Sequence, residues 1–279
     1  MFNKEIENNN TELIHFKSEL EKTRSSKFQK AITKFILAAL GSIPWVGGFV
    51  AAAASLKTEE KDTKQEEIQN QWLEEHSKKM QKLGLTILEI TKRFDSIGEE
   101  IGDRISSEEY LDIVRKAFRS WDEADTDEKR KYVSNLIENS AGTRICSDDV
   151  IRLFIDWLDQ YHESHFAVIK EIYKTPGVTR YDIWINTYGE LVREDSAEAD
   201  LFKLLIRDLS TGGVIRQARD TTEDGRFLKK TPIKTSVKSK TMESAFEATK
   251  PYLLTELGKQ FVHYTMTELV PRVTSENSN

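Results

Sequence analysis

The sequence predicts a mostly α-helical protein that closes on one small β ribbon. Two observations carry that fold class. Apolar residues recur at steps of three and four over most of the chain, the period of a helix face. Strand-like patterning is confined to a short stretch after Gly212-Gly213 and a second one from Phe227. A third observation sets the organisation. Phe35 to Leu56 is an uncharged run between Lys34 and Lys57, in a chain of which 32% is charged. The expected plan is an elongated helical module over 1–105 with this run as an apolar helical hairpin (35–56), a helical connector over 106–162, and a compact domain over 163–268. Residues 269–279 read as a disordered tail.

A chain of 279 residues has room for two domains and a real core. Its net charge of −6 leaves the surface mixed in sign, with no global reason to bind nucleic acid. Cys146 is the only cysteine, so an intrachain disulfide framework is excluded and a reducing compartment expected. The first ten residues lack a basic stretch leading into an apolar core, unlike a signal peptide.

In chain order, residues 10–30 read as an amphipathic helix with Leu13, Phe16 and Leu20 on one side, continued by Phe28, Ile32 and Phe35. The apolar run has the length of a membrane span, roughly 20 residues, but Gly41, Pro44, Gly47 and Gly48 interrupt it. Two short arms, 35–40 and 49–56, are expected around a turn made by Gly41, Gly47 and Gly48, with Trp45 at the tip. Next, Met80, Leu83, Ile87, Ile90, Phe94, Ile97 and Ile101 form a heptad seam on a helix expected over 58–105, with Gly98 and Gly102 allowing close helix approach.

Ser106-Ser-Glu-Glu109 has capping-box spacing and opens a helix through Trp121. Further helices are expected from Thr126 to Gly142 and from Ser147 through Leu158, then over Phe166–Tyr173, Thr179–Tyr188 and Ser196–Leu209. Strand-like Val214–Arg219, a turn at Glu223–Arg226 and a strand from Phe227 complete the pattern.

Three helices followed by a ribbon is the pattern of a winged helix-turn-helix. The segments Leu204-Leu-Ile-Arg-Asp-Leu-Ser-Thr-Gly-Gly-Val-Ile-Arg, Asp224-Gly-Arg and Leu254-Thr-Glu-Leu-Gly-Lys-Gln-Phe261 resemble the third helix, wing and closing segment of bacterial winged-helix domains. The whole plan, with its glycine-rich apolar stretch, acidic helices and closing Leu-Thr-x-x-Gly-x-x-Phe, resembles the abortive-infection alpha group of bacterial proteins. A rod with an apolar hairpin is likewise similar to helical pore-forming toxins.

Catalysis finds no support. The chain lacks a Gly-Lys-Ser/Thr phosphate loop, a Gly-x-Ser-x-Gly elbow, a Cys-x-x-Cys pair and a His-Glu-x-x-His zinc motif. His162 and His165 share a helical spacing without a second ligand cluster, and Cys146 has no base beside it. No catalytic residue, metal or cofactor is expected. Winged helices often bind DNA, but Glu194, Asp195, Glu198 and Asp200 open the third helix and would repel phosphate. The wing is basic instead: Arg216, Arg219, Arg226, Lys229 and Lys230 are expected to meet phosphate or anionic lipid head groups.

The function expected from these readings is that of a membrane-acting bacterial effector of the defence or toxin type, not an enzyme. Phe35, Ile36, Leu37, Leu40, Ile43, Pro44, Trp45, Val46, Phe49 and Val50 would enter the inner membrane under control of the C-terminal part. Membrane lipid and a homo-oligomer are the expected partners, and the cytoplasm with conditional attachment to the inner membrane face is the expected location. The alternative is a non-enzymatic regulatory protein, its hairpin buried in a core or oligomer seam and its winged helix binding protein or nucleic acid.

Overall fold

The structure is a computed structural model that describes residues 25–55, 63–219, 222–224, 226, 228 and 243–266. The described chain is mostly helical with one antiparallel sheet of three strands. It forms two units, the first ending at Asp159 and the second beginning at Gln160. Residues 1–24 with Leu13, Phe16 and Leu20, the charged stretch 57–62, Phe227, Lys229, Lys230 and the tail 269–279 lie outside the described residues.

In the first unit, α1 (Ser26–Gly41) starts where the Ser25 hydroxyl accepts the Phe28 N–H. Its inner stripe of Phe28, Ala31, Ile32, Phe35, Ala38 and Ala39 is buried. α2 (Pro44–Ser55) follows after two residues, and α3 (Thr63–Ile97) is the long helix. The heptad seam is filled from within the chain: Leu83, Ile87, Ile90 and Phe94 are buried, and Phe94 meets the Phe35 ring edge-on at 5.0 Å. The seam residues therefore serve the core of their own unit.

The helix expected to reach Ile105 stops at Ile97. Gly98 adopts φ +119°, open to glycine, and its N–H closes the last turn onto Phe94 O. A 3₁₀ turn (Glu99–Ile101) and the short α4 (Gly102–Ile105) then redirect the chain. Gly102 is a close-approach point: a Cβ there would lie 3.3 Å from the Phe28 ring of α1.

α5 (Glu108–Glu123) is capped by Ser107, whose hydroxyl accepts the Tyr110 N–H. α6 (Asp127–Gly142) is capped by Thr126, and α7 spans Asp148–Gln160. α1 and α3 pack against α5 and α6, so residues on both sides of 105/106 share one unit. Arg104 ties α4 to α7 through a bidentate pair with Asp148, at 2.5 and 2.9 Å, and stands over the Tyr110 ring. The buried Tyr110 hydroxyl donates to Ile137 O at 2.8 Å, and desolvation pushes its pKa far up.

The second unit runs α8 (Glu163–Lys174), β1 (Val178–Thr179), α9 (Arg180–Tyr188), α10 (Ala197–Thr211), β2 (Ile215–Gln217), β3 (Pro251–Leu254) and α11 (Glu256–Thr265). The strands lie in the order β1-β3-β2. β3 pairs with β2 in the register Ile215↔Leu254 and with β1 in the register Val178↔Tyr252. β1 follows Gly177, at φ +90°, and did not register as a strand in the sequence. The partner of β2 among the described residues is β3, and the strand expected from Phe227 lies outside them.

The Leu-Thr-x-x-Gly-x-x-Phe run is a packing device. Thr255 Oγ1 caps α11 by accepting the Gly258 N–H at 2.9 Å and donates to Gly213 O at 2.6 Å. A Cβ on Gly258 would collide with Val214 O, and Phe261 is fully buried beside Phe166.

Candidate functional site

The apolar run forms a corner rather than a hairpin. α1 and α2 meet at 93°, and the turn between them is Ser42 and Ile43. Ser42 closes α1 by donating its hydroxyl to Ala39 O at 2.7 Å. Pro44 then starts α2 at the first helical position, where a missing N–H costs nothing. Gly41 ends α1, while Gly47 and Gly48 lie inside α2, so the expected glycine turn and the arms 35–40 and 49–56 are corrected to Ser26–Gly41 and Pro44–Ser55.

Helix geometry divides the expected insertion residues into an inner and an outer set. Phe35, Ile43 and Val46 are buried, and Ile36, Leu40, Trp45 and Phe49 are half-buried. Leu37, Pro44 and Val50 face outward, with Leu37 64% and Val50 59% exposed. Each buried side chain is held by about 1.5–3 kcal/mol of apolar burial, so only the outer set is available without unfolding the core.

Trp45 is an anchor and not a free tip. Its Nε1–H donates to Asp122 Oδ1 of α5 at 2.8 Å. Its ring meets His76 of α3 edge-on at 5.5 Å, and His76 stacks on Trp72 at 4.1 Å. Phe49 and Gly48 also pack on Trp72. The opposite side of α2 presents Pro44, Gly47, Val50, Ala51 and Ala54 to the outside. No single described helix is long and apolar enough to cross a membrane; α1 and α2 together pass on length and composition as a bent pair.

The cations at the second unit are not gathered into one place among the described residues. Arg216 sits half-buried on β2 beside Glu256, while Arg219 and Arg226 are exposed, Arg226 in a loop closed by its hydrogen bonds with Thr222. At the start of α10, Arg193 pairs with Asp195 through two 2.8 Å contacts. Glu194 accepts the Ser244 hydroxyl and the Ala245 N–H, so its carboxyl is held below the usual range and the 243–250 segment is tied to α10. The outward surface of α10 carries Glu198 and Asp200 together with Leu201 and Leu204.

His165 works inside the fold. Its Nδ1 accepts the His162 backbone N–H at 3.1 Å, its ring stacks on Tyr161, and its Nε2 lies 4.0 Å from Asp208. Among the described residues no group of three or more His, Cys, Asp or Glu is arranged to hold a metal ion. Sequence reasoning missed Asp122 and His76, because neither stands out from the polar faces of α5 and α3 until α2 is laid across them. The chain matches no protein family, no curated protein and no solved structure.

Proposed function

We propose that this is a membrane-associated effector in which the α1–α2 corner is the lipid-contacting element and the second unit is a winged helix that governs it. One observation carries the reading: α2 has no charged residue, and its outward face is made of Pro44, Gly47, Val50, Ala51 and Ala54. An apolar face left outside in a chain this rich in charge marks a contact with lipid or with a partner. The bent pair favours lipid, because its length and composition match a broken span. Disruption of a bacterial inner membrane, in a defence or toxin role, is the activity that such an element would provide.

The test is flotation of the full chain with anionic liposomes and release of a trapped dye. Leu37→Glu with Val50→Glu should abolish flotation while leaving the melting temperature nearly unchanged, since both side chains are exposed. Failure of the unaltered protein to float, at any lipid composition, would overturn the reading.

A second reading concerns what the C-terminal unit binds. The element order helix–strand–helix–helix–strand–strand with sheet order β1-β3-β2 supports a winged helix. Leu201 and Leu204 among the acids of α10 favour a protein partner over nucleic acid, whose phosphates those carboxylates repel. A salt-dependent gel shift of DNA lost on charge reversal of Arg216, Arg219 and Arg226 would reverse that preference.

A further inference from the structure

The outward side of α10 carries more apolar surface than its own unit uses. The inner stripe of this helix, Ala199, Phe202, Leu205, Ile206 and Leu209, already fills the core of the second unit. Leu201 and Leu204 lie outside that stripe, one turn apart on the same side, and stay 49% and 38% exposed. Two charges frame them. Asp200 precedes the pair and Arg207 follows it, seven residues on, so both stand on one flank of the helix about two turns apart. Their partners within the helix hold them loosely. Asp200 lies 3.6 Å from Lys203, which Glu194 shares at 3.8 Å, and Arg207 lies 3.5 Å from Asp208. The Asp200 and Arg207 side chains are 74% and 71% exposed, and ion pairs at such exposure are worth little. Glu198 stands apart from this quartet: its carboxylate is bonded by its own backbone N–H and by the Ser196 hydroxyl at the head of the helix.

The order Asp200, Leu201, Leu204, Arg207 is complementary to its own reverse. A two-fold axis crossing α10 between Phe202 and Lys203 lays a second copy of the helix antiparallel to the first and brings Leu201 level with the partner's Leu204. In such a pair each flank meets the same flank of the other copy, so Asp200 faces the flank that carries the partner's Arg207. The two are offset by about 3 Å along the axis, two residues of rise, which an arginine side chain spans. A parallel pair would set each charge against its own like, so the charges select the antiparallel one. Nucleic acid lacks the matching pattern, because its phosphates would meet Asp200 as well as Arg207.

We propose that two copies of this chain pair through antiparallel α10 helices, Leu201 on the partner's Leu204 and Asp200 beside the partner's Arg207. The pairing rests on the reading of α10 as a protein-binding face and not on any action at a membrane. It is weak and reversible. A helix of 15 residues is about 22 Å long and offers less contact than the ~1,600 Å² of a standard interface, so the dissociation constant should be on the order of 10–100 µM.

The test is analytical ultracentrifugation of the full chain without lipid, from about 5 to 500 µM, a range that brackets that constant. A monomer–dimer equilibrium is expected. Leu201→Glu with Leu204→Glu, both at exposed positions, should weaken it by more than about tenfold while the melting temperature stays nearly unchanged. Asp200→Arg and Arg207→Asp, each alone, set like charges across the pair and should weaken it about tenfold. Mixed in equal amounts, these two variants place opposite charges at both ends, and association should return to within about twofold of the unaltered chain. A chain that stays monomeric throughout the range, association that survives the leucine variant, or a mixture no better than its components would overturn the self-pairing. The protein reading beneath it falls only to a salt-dependent DNA gel shift, so the two failures are told apart.

Discussion

The indole N–H of Trp45 meets the carboxylate of Asp122 at 2.8 Å across 77 residues of chain. It is the polar contact that fastens an otherwise charge-free helix to the body of its unit. A hydrogen bond to a charged acceptor is worth about 1.5–3 kcal/mol when buried. This one is part-buried, so Asp122→Ala should cost about 1–1.5 kcal/mol in urea unfolding, at or just below the bottom of that range. Asp122→Asn, which keeps an acceptor, should cost less. Amide exchange should quicken in α2 and leave α6 unchanged, locating the loss at the anchor.

Two glycines should respond in opposite ways. Gly47 lies inside α2 with nothing within 4 Å of where a Cβ would stand, so Gly47→Ala should stabilise by about 0.5–1 kcal/mol through helix propensity alone. Gly258→Ala would drive a methyl into the Val214 carbonyl, and should destabilise the second unit by about 2 kcal/mol or more. Thermal melts of the two variants check both signs. Stabilisation by Gly47→Ala would mean that the fold does not require that glycine.

Acid should act through Asp148. Hydrogen bonds from Arg104 hold its carboxyl below the ordinary aspartate value, so the folded state keeps it ionised after the unfolded chain has taken up a proton. Its contribution is present above pH about 4 and is lost as pH falls through the lowered value. Urea midpoints measured from pH 5 to pH 2 should drop less steeply in Asp148→Asn than in the unaltered chain.

Alkali should act through Tyr161 in the second unit. Burial, with a smaller push from Asp208, raises its phenol to about 12. Folding then holds a proton that the unfolded chain gives up from pH about 10. The stability it contributes is complete below pH 10 and is lost as pH rises through 12. Tyr161→Phe cannot ionise, so its unfolding midpoint should fall less between pH 10 and pH 12.

What the sequence disclosed was local in origin. Thr126 and Gly142 bracket α6 because a capping hydroxyl and a helix-breaking glycine act within one turn. The same locality misled at Gly47 and Gly48. A glycine permits a turn without demanding one, and Pro44 at the head of a helix supplied the better start. The Ser42–Ile43 corner follows from Ile43 finding a buried place, which depends on distant helices. β1 and β3 escaped notice for a related reason: β1 is two residues long, and its partner arrives more than 70 positions later.

The Ser42–Ile43 corner separates the apolar run into two holdings with different landlords. α1 is gripped by α4 and α5, through Phe28 and Phe35 in the deepest part of the unit. α2 rests chiefly on α3, and Trp45 bonds Asp122 of α5. The twelve uncharged residues of α2 therefore share one ledge, Trp72 and His76, on which Trp45 and Phe49 both rest. Loosening α2 would cost the burial of Val46 and the Trp45 bond, and loosening α1 would cost the whole stripe from Phe28 to Ala39.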